Sequence, residues 1–249
     1  MRAACCEATV LRNEIIAPDI RLLTVVWPDR DHAPHAGQFF TLRSWGADEA
    51  PFLSRPISVH RWNPDSSTIE FLYQVVGEGT EKLAQLKQQD AFQLTGPMGN
   101  GFDVPEIVSK YKKIAVVGGG IGTAPMYQLT RELAAAGVKP DVFFGFRDAP
   151  YCMEEYREIA NLVKVHRHRR GGLPRLCHPA VRPGGLRCGA CVRPHRHDAQ
   201  CRPPVCRKGH PLLCEHGKED GLRHRCLPGL HLRDEERGRQ ERVQERPGL

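Results

Sequence analysis

From His166 to Leu249 the sequence contains no Ile, Met, Phe, Tyr, Trp, Ser, Thr or Asn. Such a stretch has few side chains able to offset the entropy of ordering a backbone, which excludes an ordinary hydrophobic core there. Other absences concern the whole chain. No apolar run approaches the roughly 18 residues that span a bilayer. The N-terminus has no charged-then-apolar signal pattern, so the sequence reads as cytoplasmic with no membrane partner. Cysteine is scarce before the break, with only Cys5, Cys6 and Cys152, and seven of the ten cysteines follow it. In a reducing compartment that distribution points to metal ligation or free thiols rather than a disulfide framework. The formal charge of +7 is an average over two unlike regions, so it does not describe one basic surface.

Up to about Gly101 the chain is a series of short apolar runs separated by turn residues: "RLLTVVW", "GQFFTLRSW", "RPISVHRW", "TIEFLYQVV" and "AFQLTGP". Their length and alternation predict strands, and their regular spacing predicts a closed or partly closed antiparallel barrel. One helical insert, "GTEKLAQLKQQ", starts at Gly79. Within this region "RPIS", Arg55 to Ser58, combines a planar guanidinium suited to phosphate, a proline that fixes φ, and a hydroxyl able to bond a polar ring edge. Downstream, Gly79 and Thr80 fall at a strand-to-helix junction, where backbone N–H groups favour an anion. "LTGPMGNGF" then makes a tight exit from the barrel.

The next segment, "KKIAVVGGGIGTAPMYQLTRELAAAGVKPDVFFGF", reads as strand, glycine turn, amphipathic helix and strand. "IAVV" suits a parallel strand covered on both faces. Gly118, Gly119, Gly120 and Gly122 would let the backbone approach a pyrophosphate at a helix N-terminus. The turn is not a strict G-x-G-x-x-G, and Asp148 lies too far along for a ribose ligand. Met126, Leu129 and Leu133 have helical spacing, and Gly137 marks the stop. "CMEEYREIANLVKV" predicts a further helix and strand, after which the pattern ends.

This ordered set resembles the ferredoxin reductase superfamily, and within it the electron-transfer subunit of NAD-dependent dihydroorotate dehydrogenase. The resemblance covers the first two-thirds of the chain. It implies FAD contacts at Arg55, Pro56, Ile57 and Ser58, at Leu72, Tyr73 and Gln74, and at Gly79 and Thr80. Arg55 would hold the diphosphate, and Ser58 would sit beside the flavin ring. "GGGIGTAP", Gly118 through Thr123 and beyond, looks like the opening turn of the NAD domain. The implied protein relays electrons between NAD(H) and an FMN-containing catalytic subunit through FAD and a [2Fe–2S] cluster, within a heterotetramer. A sister reductase feeding ferredoxin or sulfur chemistry would share the same motifs.

The expected organisation is therefore β followed by α/β: an FAD-binding β-barrel over residues 1–101, an incomplete NAD-binding α/β domain over 102–165, and a disordered tail over 166–249. Within the tail, Cys188 and Cys191 have zinc-like C-x2-C spacing, followed by Cys201 and Cys206, and the Arg and His density suggests nucleic acid. Both readings lack a scaffold: Pro or Gly recurs every few residues, and no aromatic is available for base stacking. The genetic code supplies a third reading. With G- or C-starting synonyms for Leu and Arg, every tail residue except the cysteines, Lys208 and Lys218 derives from a codon beginning with G or C, as a wobble base would in a GC-rich gene. Taking the last two bases of each codon with the first of the next permits "GFVTQLFDPEDYDAVLVCGPTAMM" from Arg175 and "MEKRMACGIGACLACTCETK" from His216. The second string carries C-x4-C-x2-C, the spacing of a plant-type [2Fe–2S] cluster. In the chain as written, Gly209 stands where the ligand after Cys201 and Cys206 would be required, so the cluster motif is absent. The tail reads as translated out of phase.

Overall fold

The computed structural model describes residues 3–29, 31–167, 188–194 and 212–217, with side chains described as far as Val165. The first part is one antiparallel sheet of seven strands: β1 (Ala4–Ala17), β2 (Ile20–Val26), β3 (Phe39–Arg43), β4 (Arg55–Ser58), β5 (Arg61–Asn63), β6 (Thr68–Gln74) and β7 (Ala91–Met98). Their order is β4-β3-β7-β1-β2-β6-β5. The sheet curls until its ends approach each other, with β4 close to β6, but the two strands do not pair. The barrel is thus half-closed, with an open seam between β4 and the carboxyl half of β6.

Alternation along the strands explains the curl. Leu23 and Val25 on β2, Phe40 and Leu42 on β3, Ile69, Phe71 and Tyr73 on β6, and Phe92 and Leu94 on β7 all point into one core. Phe40 lies at its centre, edge-on to Trp27 at 4.9 Å and to Phe71 at 5.7 Å. A Cβ on Gly96 would come within 2.3 Å of the Phe40 ring, so the glycine makes room for the phenyl group.

β1 was not among the predicted strands. Its outward positions carry Cys5, Glu7 and Glu14, and its pairing with β2 has two register shifts, so its alternation is interrupted.

Helix α1 (Glu78–Ala84) packs beside the barrel and is shorter than the predicted insert. The second part is a parallel sheet. Helix α2 (Val104–Lys110) leads into β8 (Ile114–Gly119), a 3₁₀ turn (Gly120–Thr123), α3 (Met126–Ala135), β9 (Asp141–Phe146) and β10 (Leu162–Arg167). β8 pairs with β9, and β9 with β10, all parallel. Gly137, at φ +84, ends α3 as its position predicts. Val116, Leu129, Leu133, Val142, Phe144 and Tyr156 form the core between sheet and helices. The helix expected in "CMEEYREIANL" is only a 3₁₀ turn, Glu154–Tyr156.

Two further strands, β11 (Cys188–Pro194) and β12 (Leu212–Gly217), extend the sheet to the order β10-β9-β8-β11-β12. Both lie in the stretch for which the sequence offered no periodicity. Parallel pairing is made by main-chain groups, so it does not require the apolar pattern that was sought. The zinc-like pairs and the cluster spacing involve side chains outside the described residues. Among the described residues no helix is long and apolar enough to cross a membrane.

Candidate flavin and nucleotide site

Arg55 opens β4 at the lip of the seam. Its Nη2 donates to the Leu53 carbonyl at 2.7 Å, while its Nε is buried with no hydrogen-bond partner among the described residues. Leaving a charged donor so costs free energy unless a ligand completes it. Against this side chain lies Gly79, where a Cβ would come within 2.8 Å of Arg55 Cδ and 3.1 Å of Pro51 Cγ. The glycine therefore permits a close approach of α1 to the arginine. Gly79 and Thr80 fall, as predicted, at the helix N-terminus, in the first turn after Gly77. The Thr80 hydroxyl accepts from the N–H groups of Val76 and Gly77 at 2.9 and 3.2 Å and donates to the Gly77 carbonyl at 2.8 Å, so it fixes the turn. Glu78 and Glu81 also occupy that turn, which makes Arg55 the stronger anion-binding element here.

Along β4, Ile57 packs against the barrel core, Pro56 is exposed and Ser58 is half-buried. Across the seam, Leu72, Tyr73 and Gln74 separate into different environments. Tyr73 is committed to the core, its hydroxyl 3.5 Å from Asn13 Oδ1, and burial pushes its pKa up to about 12. Leu72 points to the opposite face and packs with Ile20 and Ala124, beneath the glycine turn. β5 pairs with β6 only from Thr68 to Glu70, so the backbone edge of the next four residues faces the seam. What Leu72 to Gln74 offer a ligand is chiefly main chain.

The glycine turn sits at the carboxyl ends of β8 and β9, where Gly119 is opposite Gly145. This is the end at which open parallel sheets bind ligands. Gly118 is required by packing, since a Cβ would lie 3.1 Å from both Phe144 and Thr123. Gly119 is different: among the described residues a Cβ there would meet nothing nearer than the Gly145 carbonyl at 3.9 Å. Packing among the described residues therefore does not require its missing side chain. Gly120 has φ +53 and starts the 3₁₀ turn, Gly122 is buried within it, and the Thr123 hydroxyl donates to the Gly120 carbonyl at 2.9 Å. The predicted helix carrying Met126, Leu129 and Leu133 is α3, which begins at Met126 after the 3₁₀ turn and Pro125.

Sequence reasoning missed the seam that joins the two halves. His60, two residues after Ser58, is 1% exposed; its Nδ1 donates to the Ala124 carbonyl at 2.8 Å, and its ring stacks on Tyr127 at 5.1 Å. Nε2 is buried without a partner among the described residues, and burial pushes the His60 pKa down to about 4, so the ring is neutral. Arg61 lies over Tyr127 at 4.5 Å and pairs with Glu70 and Glu155. Gln128 accepts from the Trp62 N–H at 2.9 Å, and Arg131 donates to its carbonyl at 3.0 Å. One short strand thus ties the Ser58 strand to the helix behind the glycine turn.

Among the described residues no group of three His, Cys, Asp or Glu side chains could hold a metal ion. Cys5, Cys6 and Cys152 are free thiols, and burial pushes the Cys152 thiol up to about 12.

A half-closed antiparallel barrel followed by a parallel α/β layer is the fold of ferredoxin–NADP reductase-like proteins. The NADH-dependent reduced ferredoxin–NADP oxidoreductase superposes with a TM-score of 0.66 at 22% identity, covering 83% of this chain and 74% of that one. Phthalate dioxygenase reductase, described as modular for electron transfer from pyridine nucleotides to [2Fe–2S], gives 0.61 at 18% identity, covering 76% and 60%. The sequence is similar to that of electron transfer subunits of dihydroorotate dehydrogenase B (NAD(+)), as the motifs implied. The one from Caldanaerobacter subterraneus is 36% identical over 157 residues, 63% of this chain and 58% of the relative. The one from Clostridium acetobutylicum is 43% identical over 129 residues, 52% and 49% of the two chains. The chain spans about half the length of these relatives. No family model matches it.

Proposed function

We propose that this chain is the electron-transfer subunit of an NAD-linked dihydroorotate dehydrogenase, a cytoplasmic oxidoreductase subunit that holds FAD in the open seam of its barrel. The observation that carries this reading is the buried, unpartnered Nε of Arg55 against Gly79. It is the donor a flavin diphosphate would complete, in a chain 36% and 43% identical to subunits of that name. Arg55 binds the diphosphate, Ser58 bonds the polar edge of the ring, and the exposed backbone edge of Leu72 to Gln74 lines its other side. The flavin supplies hydride acceptance and one-electron release, while the protein orients it. Gly119 leaves the turn open for the pyrophosphate of NAD(H), and the His60 seam sets the spacing between the two nucleotides. The partner is an FMN-containing catalytic subunit that oxidises dihydroorotate in pyrimidine synthesis, joined in a heterotetramer.

The phase reading bears on how much of this survives. β11 occupies the codons whose other phase spells "AVLVCGP", an apolar run suited to a strand beside β8. Its pairing sets Val192 opposite Gly118, so the Cys-Gly-Pro turn of that phase would emerge next to the glycine turn. The chain as written keeps the flavin barrel, lacks the proper continuation of its nucleotide half, and has no cluster motif. We therefore expect FAD binding to persist, NAD binding to be weak, and transfer to the partner to fail.

Purified protein should be yellow and release one FAD per polypeptide on heating. Colourless protein that takes up no FAD would overturn the reading. NADH-dependent orotate reduction by this chain with its partner would refute the loss of transfer, and resequencing around the Val165 codon decides the phase.

A further inference from the structure

Ser58 ends β4, and the two residues after it carry the chain across to the other end of the sheet. The Val59 N–H donates to the carbonyl of Gln38, just before β3, at 3.0 Å, and the His60 N–H to the Glu70 carbonyl of β6 at 2.9 Å. Clamped on both sides, this link has little slack between Ser58 and the His60 ring. That ring holds the Ala124 carbonyl through Nδ1 at 2.8 Å, and Ala124 closes the glycine turn, its own N–H bonded to the Ile121 carbonyl at 3.0 Å. From the other side the Tyr156 hydroxyl donates to the Thr123 carbonyl at 3.3 Å. The turn is therefore suspended between a barrel residue and a core tyrosine of the parallel layer.

Two kinds of contact reach Ala124 from the barrel. Leu72 and Ile20 pack on it, but apolar contact has no preferred direction and yields gradually. The bond from His60 behaves otherwise. His60 is 1% exposed and Ala124 3%, so parting them leaves a donor and an acceptor unpaired away from water, and the bond is either made or broken. The other ties of the seam, from Gln128 and Arg131 to the Trp62 main chain, reach α3 beyond the turn. We infer that His60 is a positioning residue that couples the two nucleotide sites: flavin seated at Ser58 steadies the glycine turn through the imidazole, and an empty barrel leaves the turn looser. The inference rests on the flavin reading and adds to it a reciprocal gain, in which either nucleotide binds more tightly with the other in place.

The test is amide hydrogen exchange at residues 120–124 of the purified chain, with FAD bound and after its removal. FAD should slow exchange there about two- to tenfold, the worth of one hydrogen bond. His60→Phe keeps a ring on Tyr127 but loses the bond to Ala124. It should abolish the effect at the turn and leave FAD protection of residues 72–74 in place; His60→Asn, too short to reach the carbonyl, should do the same. Gln128→Ala loosens the seam without touching that bond and should keep the effect. The coupling is overturned if FAD protects 72–74 but not 120–124 in the wild type, if the slowing survives either histidine variant, or if Gln128→Ala loses it equally. The second result would assign the coupling to Leu72, and the third to docking of α3 alone. A wild type in which FAD protects neither segment sinks the underlying flavin reading instead.

Discussion

Arg55 and Gly79 form a pair whose parts can be removed separately. Arg55→Ala deletes a charge-assisted donor, which is worth about 1.5–3 kcal/mol. Flavin should then dissociate roughly ten- to a hundredfold more readily, as read by cofactor retained per polypeptide. Gly79→Ala drives a methyl group into Arg55 Cδ. It should lower flavin retention in the same direction while the melting temperature of the flavin-free protein changes little, because the arginine moves before the barrel does. The sequence singled out Arg55 and Ser58 as candidates because a guanidinium and a hydroxyl stand out in a short strand. It did not show that Tyr73 faces the core, since residue type does not say which face of β6 turns inward. The Tyr73 hydroxyl is used on Asn13. The use of Arg43 was equally hidden, because its partners are the carbonyls of Trp45, Gly46, Ala47 and Phe52, which no side-chain pattern records.

At the scale of elements, the β5–α3 seam has a pH signature. The folded His60 sits near 4, against 6.5 for the free side chain, so the unfolded chain binds the extra proton between those values. Its stabilising share is complete above about pH 6.5 and is lost as pH falls towards 4, a change of about 3 kcal/mol at 1.36 kcal/mol per unit. Protonated, the ring would carry a second N–H with no acceptor, beside the cationic Arg61. Urea unfolding across that range should show a steeper loss for the wild type than for His60→Phe, which keeps the stacked ring on Tyr127. Within the barrel, Gly96→Ala forces a methyl group onto Phe40 and should cost roughly 1–3 kcal/mol or more in the same assay. Most strands were readable from their alternation. Helix α2 was missed although Asp103 accepts from the Glu106 N–H at 2.9 Å, with Pro105 in its first turn. That start signal was present in the sequence, but no element was predicted between the barrel exit at Phe102 and the strand of "KKIAVV". Conversely, "CMEEYREIANL" looked helical, yet Tyr156 is drawn into the core with Phe144 and Tyr127, which holds the segment to a single tight turn.

At the scale of the whole molecule, the order of barrel, glycine turn and parallel layer was visible because each carries its own period. The link between them was not, since it depends on a strand of three residues meeting a helix more than sixty positions away. A chain recoded into the other phase after Val165 should oxidise NADH faster than this one at equal flavin content, as followed by anaerobic bleaching of the flavin. The half-closed barrel itself has a thermodynamic corollary. Whatever occupies the gap between β4 and β6 adds its own binding free energy to the cohesion of the fold, by mass action. If that occupant is the FAD proposed above, riboflavin supply would govern how long the polypeptide lasts: in cells short of the vitamin, the empty form would be the first to open and be degraded.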